Sequence, residues 1–284
     1  MSQTQPIQDT VEATVLSKQK ITANYDHIEL TPEEIAAAIH KAKAEKSARL
    51  MTIEYNKRLF APKVYETLNY GQLDKFIRKN HNVVDVTDLA AIEAFKAKKI
   101  DPFILDDQNK TAYEQLCQYF SGDEAFEFEN EDFSLNKGIM LIGPVGCGKT
   151  SLMRMFGQNS FRPFKVIHCR EIAADYSADG ASVLKTYSKS QIGYAHQNFG
   201  KTSIGRCFDD LGTEEITNNF GNKVNVMQDI LYRIYDDRAI GDFHVTTNLS
   251  GDEIEQAYGT RVRSRCREMF NPITFDPFAA DRRK

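Results

Sequence analysis

The five cysteines, Cys117, Cys147, Cys169, Cys207 and Cys266, include no C-x-x-C pair; they are odd in number and widely scattered. This argues against a zinc site and predicts reduced thiols. There is no apolar stretch long enough to cross a bilayer, and the start, Met1 to Pro6, lacks a charged segment leading into an apolar run. A cytoplasmic chain with no membrane partner is expected. Nor is there an excess of positive charge. Lys and Arg number 36 against 40 Asp and Glu, for a formal net charge of −4 and a pI near 5.9. That balance excludes a protein that coats DNA by bulk attraction, so any nucleic-acid contact must be local. No repeat period or low-complexity tract is present. What remains is 284 residues with 41% apolar content, enough for a real core in one large domain or two modest ones.

The most informative stretch is Gly143-Pro144-Val145-Gly146-Cys147-Gly148-Lys149-Thr150, continued by Ser151. It follows the apolar run Ile139 to Ile142 and leads into a segment of helical character, Ser151 to Phe156. Strand, glycine-rich loop and helix in this order are the context of a Walker A phosphate cradle. Glycines let successive backbone N–H groups converge on a polyphosphate, and the helix N-terminus adds a favourable partial charge. Lys149 is expected on the β- and γ-phosphates and the Thr150 hydroxyl on Mg²⁺. ATP with Mg²⁺ is therefore the expected ligand. The alternative, a chance glycine turn, does not account for the flanking elements.

In chain order, residues up to about Asn24 carry little pattern and suggest a mobile arm. Thr31-Pro32-Glu33-Glu34 is a helix start with a capping box, and Ile35, Ala38, Ile39 and Ala42 recur at helical spacing in a helix that runs past Met51. Its Lys41, Lys43, Lys46 and Arg49 make a solvated face or one that meets a partner. Helices are also predicted over Tyr70 to Lys79, over Thr87 to Lys98 with Thr87 as cap, and over Asn109 to Phe120 before an acidic loop, Asp123 to Asp132. Asp101-Pro102 marks a break, which puts a boundary near residue 100. A mostly helical region, 1–100, would precede a second domain, 101–284. Beyond the loop, a strand over Phe164 to Cys169 and short helices over Arg170 to Ala178 and Ser182 to Ser188 predict alternating strand and helix around a mainly parallel sheet.

Hydrolysis also needs a carboxylate near the metal and a group that orients water. Cys207-Phe208-Asp209-Asp210 supplies two acids at the end of a short strand-like run, Asp209 for the Mg²⁺ shell and Asp210 for the water. Ile204-Gly205-Arg206 is a poor lead-in for a buried central strand, so a plain acidic turn before Leu211-Gly212 stays open. A helix over Val224 to Tyr235 and a β-rich run, Phe243 to Asn248, follow. Asn248 can point an amide at the γ-phosphate or its water, or cap the turn into Ser250 to Glu253. In Gly259 to Arg267, four arginines alternate, too many to find acids within one subunit. One is a candidate arginine finger for a neighbour's nucleotide, Arg265 first and Arg261 second; a solvated helix face or a DNA-phosphate patch is the alternative. His168 and His196 lack partners at ligand spacing and read as ordinary.

With these pieces placed, the chain from about Asn109 to Lys284 resembles the DnaC/IstB group of AAA+ ATPases, bacterial and phage helicase loaders and transposition helpers. GPVGCGKT at 143–150, FDDLG at 208–212, TTNLS at 246–250 and YGTRVRSRCREMF at 258–270 carry the resemblance. It implies an α/β AAA+ P-loop core lacking a helical lid domain, since the sequence stops soon after Phe275-Asp276-Pro277, behind a helical N-terminal segment that holds the replicative DNA helicase. It also implies single-stranded DNA as a partner and a homo-oligomer when active. Lys149 and Thr150 match the Walker A pair, Asp209 the metal acid, Asn248 the first sensor and Arg265 the finger, while Arg282 lies near a second-sensor position beside Arg283. Asp210 stands where the family usually has Glu, which shortens the reach to water. Lys189, Tyr194 and His196 could meet a DNA strand, or simply form a surface loop. Other functions in contention are an IstB-like transposition helper, a P-loop small-molecule phosphotransferase and an ATP-gated switch with little turnover.

Overall fold

The computed structural model describes residues 29–60, 67–128, 130–192, 203–219, 222–238 and 240–283. The N-terminal arm, Tyr194 and His196 lie outside them. Two compact units are present, Met1–Ala61 and Pro62–Lys284. In the first, the predicted capping box forms: the Thr31 N–H donates to Glu34 Oε2 (2.8 Å) and the Glu34 N–H to Thr31 Oγ1 (3.3 Å). It opens helix α1, Pro32–Phe60, on which Ile35, Ile39, Leu50 and Met51 are exposed.

The second unit begins with α2 (Tyr70–His81), β1 (Val83–Asp85), α3 (Leu89–Ala97) and β2 (Phe103–Leu105). Then come α4 (Lys110–Ser121), the short α5 (Ala125–Phe128), β3 (Gly138–Ile142), α6 (Lys149–Phe156), β4 (Phe164–His168), α7 (Cys169–Asp179) and α8 (Ser182–Tyr187). The chain continues through β5 (Gln191–Ile192), β6 (Ser203–Leu211), β7 (Thr217–Asn219), β8 (Asn222–Val224) and α9 (Val226–Asp236). It ends with β9 (Phe243–Thr247), α10 (Gly251–Tyr258), α11 (Thr260–Met269) and β10 (Phe270–Thr274). Among the described residues no helix is long and apolar enough to cross a membrane.

The main sheet has the order β10-β3-β9-β6-β4, all parallel, with β5 antiparallel on β6. Both faces are covered, as a parallel sheet requires. The period-two alternation of β3 sends Ile139 and Leu141 into one core with Tyr113, Phe120 and Phe156, and Met140 into the other with Phe208, Ile230 and Val262. All five cysteines are buried and unpaired.

Three local expectations need correction. Asp88, not Thr87, caps α3, its carboxylate accepting from the Ala91 N–H at 3.0 Å. The N-terminal third also holds a small parallel sheet, Val83 pairing with Phe103 and Asp85 with Leu105. The boundary drawn near residue 100 falls inside a continuous core, because Leu73, Ile77, Val83 and Leu105 pack in one cluster with Leu116 and Phe156.

The strand doubted from its lead-in, β6, is the longest in the sheet and lies inside it, between β9 and β4. Gly205 is required in β6 because a Cβ there would collide with the carbonyl oxygen of Asp242. Arg206 is buried with its guanidinium satisfied: Nε donates to Lys189 O (3.0 Å), Nη2 to Thr186 O (2.8 Å), and Tyr187 lies 4.8 Å beneath it.

His244 on β9 is fully buried against Phe120 and Phe164, its Nδ1 accepting the Ile139 N–H at 3.1 Å. Burial first, then the Arg162 charge, pushes its pKa down to about 3. Below pH about 6.5 the unfolded chain binds a proton that the folded chain refuses. Stability should therefore fall as pH drops from about 6.5 toward 3, by at most about 1.4 kcal/mol per pH unit from this group. Urea midpoints across that range should be less pH-dependent in His244→Gln than in the wild type; equal slopes would remove the assignment.

Candidate nucleotide-binding site

The loop between β3 and α6 follows the sequence expectation. Gly146 has φ +79°, and a Cβ there would strike the Asp281 carboxylate of the C-terminal segment. Only glycine meets both demands. Lys149 is buried, and its Nζ donates to the carbonyls of Gly143 (2.8 Å) and Pro144 (2.9 Å). Val145, Gly146, Gly148, Lys149, Thr150 and Ser151 line a cavity of about 980 Å³, and Cys147 lies buried beneath the loop. Asp210, Asn248 and Arg282 line the same cavity.

Strand β6 delivers the two acids through an irregularity. Phe208 pairs with Val245 but Leu211 pairs with Thr247, so β6 carries one extra residue there. Asp210 takes up the bulge with φ +56°. Consecutive strand residues normally face opposite ways. The bulge instead turns Asp210 into the cavity while Asp209 stays fully buried beneath Thr150.

Asp209 Oδ1 accepts two hydroxyls, from Thr150 (2.9 Å) and Thr246 (2.6 Å). Among the described residues its buried Oδ2 has no hydrogen-bond partner. The Thr150 hydroxyl and the Asp209 oxygen it meets, Oδ1, are a hard oxygen set that suits Mg²⁺. Thr150 and Asp209 thus fit the metal role expected of them. Thr246 also accepts the Asp210 N–H at 2.9 Å, and Thr213 donates through both N–H (3.1 Å) and Oγ1 (2.8 Å) to the Asp210 carbonyl.

Asn248 follows directly on β9, which pairs with β3 at Ile142 and Thr247. The helix-capping alternative for it is taken by Ser250, which forms a capping box with Glu253. Arg282 reaches the loop through its backbone, its N–H donating to Gly146 O (3.1 Å), while its guanidinium grips both oxygens of Asp106, just after β2 (2.8 and 2.7 Å). Arg261 is exposed and Arg265 half-buried, and neither lines the cavity. Arg265 lies 4.5 Å from the rings of both Tyr232 and Tyr235 and 3.6 Å from Asp236. Within the arginine cluster, Arg263 pairs with Asp252 (2.9 Å) and Glu255.

Sequence reasoning missed Thr246 and misjudged His168. The latter stands at the end of β4, 3.4 Å from Asp209 and 3.9 Å from Asp210. Arg170 and Phe103, also unforeseen, line other walls of the cavity. The Thr-Thr-Asn run was the one visible signal for Thr246; the partners of His168 lie 41 and 42 residues away and left none.

Thr246→Val would strip a donor from a buried carboxylate and an acceptor from the Asp210 N–H. It should cost about 1–3 kcal/mol in chemical unfolding and lower ATP turnover while nucleotide still binds. Thr246→Ser should recover most of both. Unchanged stability and turnover in the valine variant would show that the hydroxyl has no such role.

Residues 139–206 match the family model described as ATPase family associated with various cellular activities (AAA). No curated protein matches the chain. Among solved structures, that of the DnaC helicase loader is similar at 15% identity and a TM-score of 0.41, covering 61% of this chain and 92% of that one. AMPPCP-bound DnaA from Aquifex aeolicus is similar at 16% identity and a TM-score of 0.39, over 61% of this chain and 48% of that chain. The chain thus has an α/β fold with a parallel sheet and a P-loop, and its residues 139–206 match the AAA family model.

Proposed function

We propose that this protein binds and hydrolyses ATP as a DnaC-like loader, helping to place a replicative DNA helicase on single-stranded DNA during replication. The observation that carries the proposal is the division of polar groups around the cavity. Lys149, Thr150, Asp210, Asn248 and Arg282 line it from one chain, whereas Arg261 and Arg265 do not. A site completed by an arginine from a neighbouring subunit ties turnover to assembly, which is what a loader needs. The homo-oligomer would form on DNA or on the helicase.

In this scheme Lys149 leaves the Gly143 and Pro144 carbonyls for the β- and γ-phosphates, where its charge is better matched. Loop N–H groups from Val145 to Ser151, at the start of α6, cradle the phosphates. Asp210 orients water and takes its proton, and Asn248 directs an amide to the γ-phosphate or that water. Thr150 and Asp209 would hold Mg²⁺, which when bound neutralises charge on the phosphate oxygens. Arg282 would answer to the nucleotide by exchanging Asp106 for phosphate. Arg265 of a neighbouring subunit, with Arg261 as the second candidate, would stabilise the transition state.

The first unit, Met1–Ala61, would hold the helicase, with the exposed apolar side chains of α1 as its most available surface. The second unit, Pro62–Lys284, would be the motor. Lys189, Tyr194 and His196 are offered as DNA contacts; of these only Lys189 lies within the described residues.

ATP turnover per subunit should rise with protein concentration or single-stranded DNA. Arg265→Ala should lower it by on the order of 10³-fold while ATP still binds, and Lys149→Ala should nearly abolish binding. Turnover independent of concentration, DNA and Arg265 would mean a self-contained site, and phosphate transfer to a nucleoside or nucleotide would then indicate a phosphotransferase.

A further inference from the structure

The end of β4 brings a nitrogen donor to the two acids of β6. Parallel pairing sets His168 directly beside Asp209. His168 Nδ1 lies 3.4 Å from Asp209 Oδ2 and 3.9 Å from Asp210 Oδ2, and one ligand atom from each of the three residues lies within 4.8 Å of the others. Asp209 is fully buried, and this Oδ2 is the oxygen without a hydrogen-bond partner among the described residues. Its other oxygen is already committed to Thr150 and Thr246.

We propose that His168, Asp209 and Asp210 form a second cation site that takes a divalent transition-metal ion in preference to Mg²⁺. It shares Asp209 with the expected Mg²⁺ position but uses the opposite carboxylate oxygen. With metal–ligand bonds of about 2.1 Å, neighbouring donors around one ion sit roughly 3 Å apart, so small side-chain adjustments close the observed spacings. Imidazole nitrogen suits Fe²⁺, Ni²⁺ or Zn²⁺, and two carboxylates with one imidazole also suit Mn²⁺, whereas Mg²⁺ favours an all-oxygen shell with several waters. Two donors sit on adjoining positions of paired strands and the third on the bulge beside them, so the backbone fixes the set in advance. His168, 46% exposed, and Asp210 line the cavity, giving an ion a path to the buried oxygen. The inference needs neither nucleotide nor a helicase partner, and it stands or falls apart from the loader proposal.

The test uses the full chain without nucleotide and Mn²⁺ as the probe. Mn²⁺ should bind in the presence of excess Mg²⁺, and electron spin-echo modulation of the bound ion should show coupling to an imidazole nitrogen. His168→Gln should remove that coupling and weaken binding by roughly ten- to a hundredfold, since losing even an outer-shell partner costs that much. Thr150→Ala, on the opposite oxygen, should retain nucleotide-free binding and the nitrogen signal. Absence of nitrogen coupling in the wild type would overturn the proposal, as would equal Mn²⁺ affinity in wild type and His168→Gln. Binding lost in Thr150→Ala but kept in His168→Gln would place the ion on the other oxygen and overturn it equally.

Discussion

The buried carboxylate of Asp209 is the constraint on which the nucleotide end of the molecule depends. A charge taken out of water must be repaid by hydrogen bonds or an opposite charge. Here two threonine hydroxyls repay one oxygen, one from the first turn of α6 and one from β9. Through that atom, strand β6, strand β9 and the phosphate loop's helix are fastened together. Among the described residues the other oxygen has no hydrogen-bond partner, with His168 Nδ1 standing 3.4 Å from it. A cation arriving at the site would relieve a cost already present in the fold, so ligand binding and local stability draw on the same group.

The bulge makes this arrangement possible. In a regular strand Asp209 and Asp210 would point to opposite faces, one acid into each core layer. One extra residue turns Asp210 toward the cavity, and Asp210 accepts a left-handed backbone in return, a conformation that aspartate tolerates better than most residues. Thr246 and Thr213 hold the bulge from either side. A loop would need more room to present two acids in this way, and would hold them less firmly.

What the sequence disclosed, it disclosed locally. The phosphate loop, the helix starts at Thr31 and Tyr70 and the strand before Asn248 are each decided by neighbours in the chain, and periodicity or capping chemistry suffices to find them. β6 was obscured because Gly205 and Arg206 are explained only by distant groups, the Asp242 carbonyl, the Thr186 and Lys189 carbonyls and the Tyr187 ring. His168 was obscured for the same reason: strand pairing, not spacing, sets it beside Asp209. The break at Asp101-Pro102 is a real interruption between α3 and β2, yet β1 and β2 pair across it and carry their apolar side chains into the ATPase core. A local chain break and a domain boundary are different things, and only packing distinguishes them.

The setting of Arg265 bears on how a finger offered to a neighbour would be kept ready. A free arginine on a surface helix loses rotamer entropy when it docks. Arg265 has its guanidinium against Tyr232 and Tyr235, each ring centroid 4.5 Å away. Aromatic contacts engage the faces of the guanidinium, while its N–H donors point outward in its plane. Among the described residues, the acid near those donors is Asp236, 3.6 Å from Nη2, too long for a strong hydrogen bond. The side chain is thus ordered in advance by its aromatic contacts. Such a finger would give up little on docking, and its contribution would go to the charge that develops in the transition state. The tyrosines of α9 would then act on a site in another subunit by fixing an arginine that their own cavity does not use.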